Sequence, residues 1–195
     1  MLEKEFEAYQ SYDWGVDPAT LKPIDDAIVA SHGDAATRGE LEARIAAVLG
    51  SKAPRAAKDY ACRQLRTIGT AASVPALAAL LMDGELSHMA RYALERIPDP
   101  AAGKAMRDAL PKAKGKLKIG LISSLGVRGE GDSVAVMKGL LGDDDQQLAR
   151  AAQAGLDLVD HEQGTVLVAQ VADGLEVAVG GDDDPALALD RLDQH

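Results

Sequence analysis

The sequence predicts an all-α fold: an α-solenoid of helix–turn–helix repeats wound as an α-α superhelix. Three observations carry that expectation. Hydrophobic residues make up 47% of the 195-residue chain but aromatics only 3%. β-Sandwiches and barrels draw on aromatic and β-branched side chains, whereas alanine and leucine suit closely packed helices. Two interleaved sets of similar segments recur at a near-constant period. Within those segments the apolar residues fall at helical spacing.

The first set is Leu65-Arg-Thr-Ile-Gly69, Leu94-Glu-Arg-Ile-Pro98, Ile122-Ser-Ser-Leu-Gly126 and Leu156-Asp-Leu-Val-Asp160, spaced 29, 28 and 34 residues apart. The second is Leu41 to Leu49, Val74 to Leu81, Gly103 to Leu110 and Val134 to Leu141, whose closing leucines are 32, 29 and 31 residues apart. Two registers of one period mean two elements per unit.

Taken in chain order, Leu2, Phe6 and Tyr9 share one face of a short helix, and Tyr12 and Trp14 follow in a turn before Asp17-Pro18 caps the next helix. This aromatic cluster reads as an end cap, with an aromatic ligand cradle as the alternative. In Val74-Pro-Ala-Leu-Ala-Ala-Leu-Leu81, Val74, Leu77 and Leu81 form a stripe flanked by Ala78 and Leu80. In the following element Leu86, Ala90, Ala93, Leu94 and Ile97 make the apolar face. Gly50-Ser51, Asp83-Gly84 and Gly142-Asp143 separate the paired elements, supplying a helix stop and then an N-cap oxygen. Pro54 and Pro75 stand at helix starts, where a missing N–H is tolerated. Thr165 to Val179 suits a helix or a hairpin turning at Asp173-Gly174, and the repeat phase favours the helix.

These residues resemble the short HEAT-like repeats of bacterial proteins, the class also found in phycocyanobilin lyases. The likeness is closest in Ala71-Ala-Ser-Val-Pro-Ala-Leu-Ala-Ala-Leu-Leu81 and Leu86-Ser-His-Met-Ala-Arg-Tyr-Ala-Leu-Glu-Arg-Ile97. From Tyr12-Asp-Trp-Gly15 to about Leu141 the chain looks like the HEAT module of large bacterial multidomain proteins. The resemblance implies a scaffold for protein contacts. The expected organisation is a helical cap over residues 1–35, four repeats over 36–160, and a C-terminal cap over 161–195.

Charge is segregated. The chain carries −10 overall, distributed as −4 over residues 1–100, +6 over 101–128 and −12 over 129–195. A non-specific nucleic-acid binder needs a positive field over its footprint, so nucleic acid is an unfavoured partner. Lys112, Lys114, Lys116 and Lys118 could hold an anion, or form a solvated turn. No stretch approaches the ~18 apolar residues of a membrane span, so no span is expected and the protein should be soluble. The expected compartment is the cytoplasm if Met1 is the native start, and export applies if a leader has been removed.

Local chemistry is sparse. Cys62, the only cysteine, excludes an internal disulfide and reads as a buried bystander. His32, His88, His161 and His195 form no i, i+3 or i, i+4 pair, and the iron hydroxylases built on HEAT repeats require several His-Glu dipeptides where this chain has His161-Glu162 alone. No metal or cofactor is expected. Asp143-Asp-Asp145 and Asp182-Asp-Asp184 precede helices and read as caps rather than calcium loops. Gly126-Val-Arg-Gly129-Glu-Gly131 lacks a preceding strand and reads as an inter-repeat loop.

What remains is surface. Aligning the second helices through Leu65, Leu94, Ile122 and Leu156 places Asp59, His88, Lys116 and Arg150 in one column, with Arg63 and Tyr92 in another. In solenoids the second helices line the concave side. The expected function is therefore non-enzymatic binding of a protein partner, or of an adjacent domain of a parent chain, through Asp59, Arg63, Arg66, His88, Arg91, Tyr92, Lys116 and Arg150. A bilin-lyase-like activity and anion binding are the alternatives. Arg91 and Tyr92 are expected to project freely, so that their replacement by alanine leaves the melting temperature nearly unchanged.

Overall fold

The computed structural model describes residues 2–161. The chain divides into two compact units, residues 1–159 and 160–195. The expectations for Thr165–Val179, Asp182–Asp184 and His195 lie outside the described residues.

Among the described residues the structure is helical, without strands. The elements are α1 (Glu3–Ser11), a 3-10 turn (Pro18–Leu21), α2 (Lys22–Ala30), α3 (Ala35–Gly50), α4 (Arg55–Ile68), α5 (Val74–Ala78), α6 (Ser87–Leu94), α7 (Pro100–Ala109), α8 (Gly115–Arg128), α9 (Gly131–Gly139) and a helix over residues 146–161, here α10. Aspartates start many of them. Asp34 accepts from the amides of Ala36 and Thr37, Asp99 from that of Ala101, and Asp145 from those of Gln147 and Leu148. Each satisfies backbone donors that the first helical turn leaves free. Asp145 thus takes the capping role expected of its run.

The helices pack in two layers. α3, α5 and α7 touch in sequence on one side, as α4, α6 and α8 do on the other, and α3 with α4, α5 with α6 and α7 with α8 form the pairs. The apolar stripes face inward between the layers. Val74, Leu77, Leu81, Leu86, Ala90, Ala93, Leu94 and Ile97 are all buried. Fully burying one leucine or isoleucine contributes about 1.5–3 kcal/mol, so this shared core dominates the stability.

Polar contacts recur at separations near the period, some within a helix pair and some between successive pairs. Arg38 donates to the Thr67 carbonyl across 29 residues, and buried Glu42 accepts from the Thr70 amide and hydroxyl across 28. Arg55 pairs with Glu85 across 30 residues, and Ser124 donates to Glu95 across 29.

One of these joints corrects the expectation of a loop at residues 126–131. Residues 126–128 form the last turn of α8, and Gly129 ends the helix with φ 63°, a left-handed conformation that favours glycine. Gly126 is needed inside the helix, because a Cβ there would stand 2.5 Å from the Gly155 Cα of α10. Arg128, 6% exposed, donates to the carbonyls of Leu94, Ile97 and Asp99 and pairs with Glu130. Glu130 pairs in turn with Arg107, and a Cβ on Gly103 would collide with the Glu130 carboxylate.

Replacing Arg128 by methionine should lower stability by about 3–5 kcal/mol, because three carbonyls lose their donor and Glu130 keeps only Arg107. Gly103→Ala should destabilise through the same network by displacing Glu130. Urea melts of both variants check this, and a wild-type midpoint for R128M would contradict it.

Candidate functional site

The second layer, α4, α6, α8 and α10, carries the residues singled out from sequence. α2 joins it at one end, because Asp25 accepts from the Tyr60 hydroxyl (2.6 Å) and from Gln64 Nε2 (2.8 Å) of α4. Gln64 Oε1 accepts from the Tyr9 hydroxyl of α1 at 2.7 Å. The N-terminal aromatics close over this network. Phe6, Tyr9 and Tyr12 are buried, and the Tyr9 and Tyr12 rings meet that of Tyr60 edge-on at centroid distances of 6.2 and 5.9 Å. Trp14 departs from the cap and is 65% exposed.

On α4, Asp59 is buried and binds Arg63, whose side chain is 60% exposed. Arg66 is half-buried, its guanidinium carbon 4.4 Å from the centroid of the Tyr92 ring of α6. This cation–π contact joins the two helices. Arg66 Nε is buried without a hydrogen-bond partner.

Arg91 does not project freely as expected. Its Nη1 donates to the Gly120 carbonyl and the Ser124 hydroxyl of α8, both at 2.8 Å, and burial pushes its pKa downward. A Cβ on Gly120 would come within 2.6 Å of its guanidinium. Tyr92 is half-buried beneath Arg66. The two side chains therefore join neighbouring helices, because the second layer is packed too closely for a long residue facing its neighbour to remain in solvent.

His88, Lys116 and Arg150 are exposed at equivalent points of α6, α8 and α10. His88 Nδ1 stands 3.5 Å from Arg91 Nη2. At the α7–α8 turn Lys112, Lys114 and Lys116 are exposed and Lys118 is half-buried, with none in an ion pair among the described residues.

Sequence reasoning missed an open groove of about 410 Å³ between α2 and α4, whose walls include Ile28, Val29, Tyr60 and Thr67. Its one sequence signal is Val29, which lies beside the buried Leu21, Ile24 and Ile28 stripe and stays 75% exposed.

Cys62 is fully buried. Burial, and then the charge of Asp59, push its thiol up to about 12, so it carries no thiolate at neutral pH. Among the described residues no group of three or more His, Cys, Asp and Glu could hold a metal ion, and no helix is long and apolar enough to cross a membrane. No family model, no curated protein and no solved structure matches this chain.

Arg91→Ala should lower stability by about 1–3 kcal/mol in a denaturant melt, since it breaks two part-buried hydrogen bonds to α8. An unchanged midpoint would return Arg91 to the free surface.

The buried thiol and phenols set an alkaline limit. Cys62 rises from 9.0 to about 12, and Tyr60, through burial and its bond to Asp25, from 10.0 to about 12. Unfolding lets both ionise earlier, so their contribution is complete below pH 9 and is lost as pH climbs from 9 to 12. Thermal melts across that range should fall, and the fall should be shallower in a Cys62→Ala, Tyr60→Phe double variant. A parallel decline in the two proteins would refute the assignment.

Proposed function

We propose that residues 36–160 form a HEAT-like α-solenoid whose second-helix face binds a protein partner, or an adjacent domain of a larger chain, without catalysing a reaction. The contacts of α4 with α6 and of α6 with α8, with the Arg55–Glu85 and Glu95–Ser124 joints between successive pairs, support the solenoid part of this reading, because in such folds each unit contacts only its neighbours. One observation carries the binding part. Successive second helices each present an exposed, long polar side chain: Arg63, His88, Lys116 and Arg150.

A partner lying along the layer would meet all four, and arginine in particular supplies binding energy at interfaces. A bilin-lyase-like activity rests on repeat resemblance alone, which is a weak warrant for chemistry. Incubation with an open-chain tetrapyrrole and inspection for a coloured covalent adduct separates that reading from binding. Anion binding at Lys112, Lys114, Lys116 and Lys118 is a second reading, favoured by their lack of acidic partners among the described residues. Its signature would be a steep log–log dependence of affinity on salt.

Photo-crosslinking tests the leading reading. Benzoylphenylalanine at positions 88, 116 and 150 should capture one common protein, while the same probe at the exposed first-layer positions 40 and 104 should not. Equal capture from both layers would overturn the assignment of the face.

A further inference from the structure

We infer that the groove between α2 and α4 receives an apolar side chain of a partner polypeptide, with an adjacent carboxylate of that partner bound by Arg63. The inference rests on the protein-binding reading of the second-helix face and names the chemistry one part of that face recognises.

Shape supplies the first half of the argument. The groove measures about 410 Å³ and opens between two helices, which lies within the range of pockets that take small apolar groups. Its apolar lining is Ile28, Val29 and Tyr60. Val29 is 75% exposed, an apolar side chain left in water at the mouth of a groove. An incoming leucine-sized side chain would remove it from water.

Charge supplies the second half. Two ionic side chains line the groove, Asp25 and Arg63. Asp25 is already engaged, with Oδ2 accepting from Tyr60 and Oδ1 from Gln64. Arg63 uses Nε and Nη2 on a single oxygen, Asp59 Oδ2, at 3.3 and 3.1 Å, and Nη1 has no partner among the described residues. The donors left over in the groove therefore belong to a 60%-exposed guanidinium whose planar fork suits a carboxylate. A nucleic-acid backbone fits poorly, because the single arginine, already paired to Asp59, stands beside two aspartates and an apolar wall.

The occupant is a polypeptide carrying a Leu-Asp or similar apolar–acidic pair. The test uses the full-length 15N-labelled chain and three acetylated, amidated nine-residue Gly/Ser peptides whose central pair is Leu-Asp, Leu-Lys or Ser-Asp. The Leu-Asp peptide should move backbone amide resonances of α2 and α4, and bind at least tenfold tighter than either control. Arg63→Ala and Val29→Asp should each weaken it at least tenfold. Val29 is exposed, so Val29→Asp should melt with the wild type; Arg63→Ala takes the partner from buried Asp59 and should melt earlier, so Arg63→Lys, which keeps a cation beside Asp59, is the second variant and should recover part of the affinity. Tyr60→Phe, which frees an Asp25 oxygen to repel the ligand, should weaken binding several-fold.

Shifts confined to α6 and α8 would overturn the groove while leaving the second-helix face standing as a binding surface. No shift with the Leu-Asp peptide, or equal affinity for a control, would overturn the inference outright.

Discussion

Among the described residues each helix pair covers its apolar stripe with the help of its neighbours, and the rest of the structure follows from that constraint. Leu65, Leu94 and Ile122 are fully buried at equivalent points of three successive units, so each stripe needs a neighbour to cover it. Burial at this density requires close approach. Where α8 meets α10 the backbones touch at Gly126 and Gly155, and a Cβ on Gly69 would stand 2.9 Å from the Ile97 side chain of the next unit. Alanine and leucine in place of aromatics are what such contacts demand. Most of the large rings gather instead at the N-terminal end, where Tyr9, Tyr12 and Tyr60 close over the last exposed stripe.

Apolar burial alone would let neighbouring units slide, since the stripes are similar from one unit to the next. The polar joints oppose that. Arg55 with Glu85, Glu95 with Ser124, and Arg128 with the Leu94 and Ile97 carbonyls join successive pairs across 29 to 34 residues. A shift of one helical turn would part Glu95 from Ser124 and Arg128 from its carbonyls, all part-buried, at roughly 1–3 kcal/mol apiece. The joints therefore fix register, while the stripes supply most of the energy.

This division of labour explains what could be read in the sequence. The helices, their pairing and the inward faces were legible because a stripe at 3.6-residue spacing has one physical interpretation, and Val74, Leu77 and Leu81 are buried as that interpretation requires. The fate of each arginine was not legible. Arg63, Arg91 and Arg128 look alike in one dimension, yet one is largely exposed, one spans α6 and α8, and one is sealed beneath three carbonyls. What separates them is a partner one period away. Gly120 lies 29 residues after Arg91 and leaves room for its guanidinium. Gly103 likewise leaves room for Glu130, which Arg128 and Arg107 share. A glycine set one repeat away from a long polar residue is the signal that was available, and reading it requires the register first.

The same logic locates the groove. At the α6–α8 joint a long side chain fills the space between helices and reaches the opposite backbone, as Arg91 does at Gly120. At the α2–α4 joint contact is made by side-chain tips, Tyr60 and Gln64 meeting Asp25, and no glycine draws the two helices together. Tip-to-tip contact holds helices apart, and the space beneath Val29 and Ile28 stays open. An opening of that kind is stable only if the polar tips satisfy one another, which the Tyr9–Gln64–Asp25–Tyr60 chain achieves. The network that closes the N-terminal end of the core thus also keeps a groove open on its surface, so any change that tightens this end should narrow the groove with it.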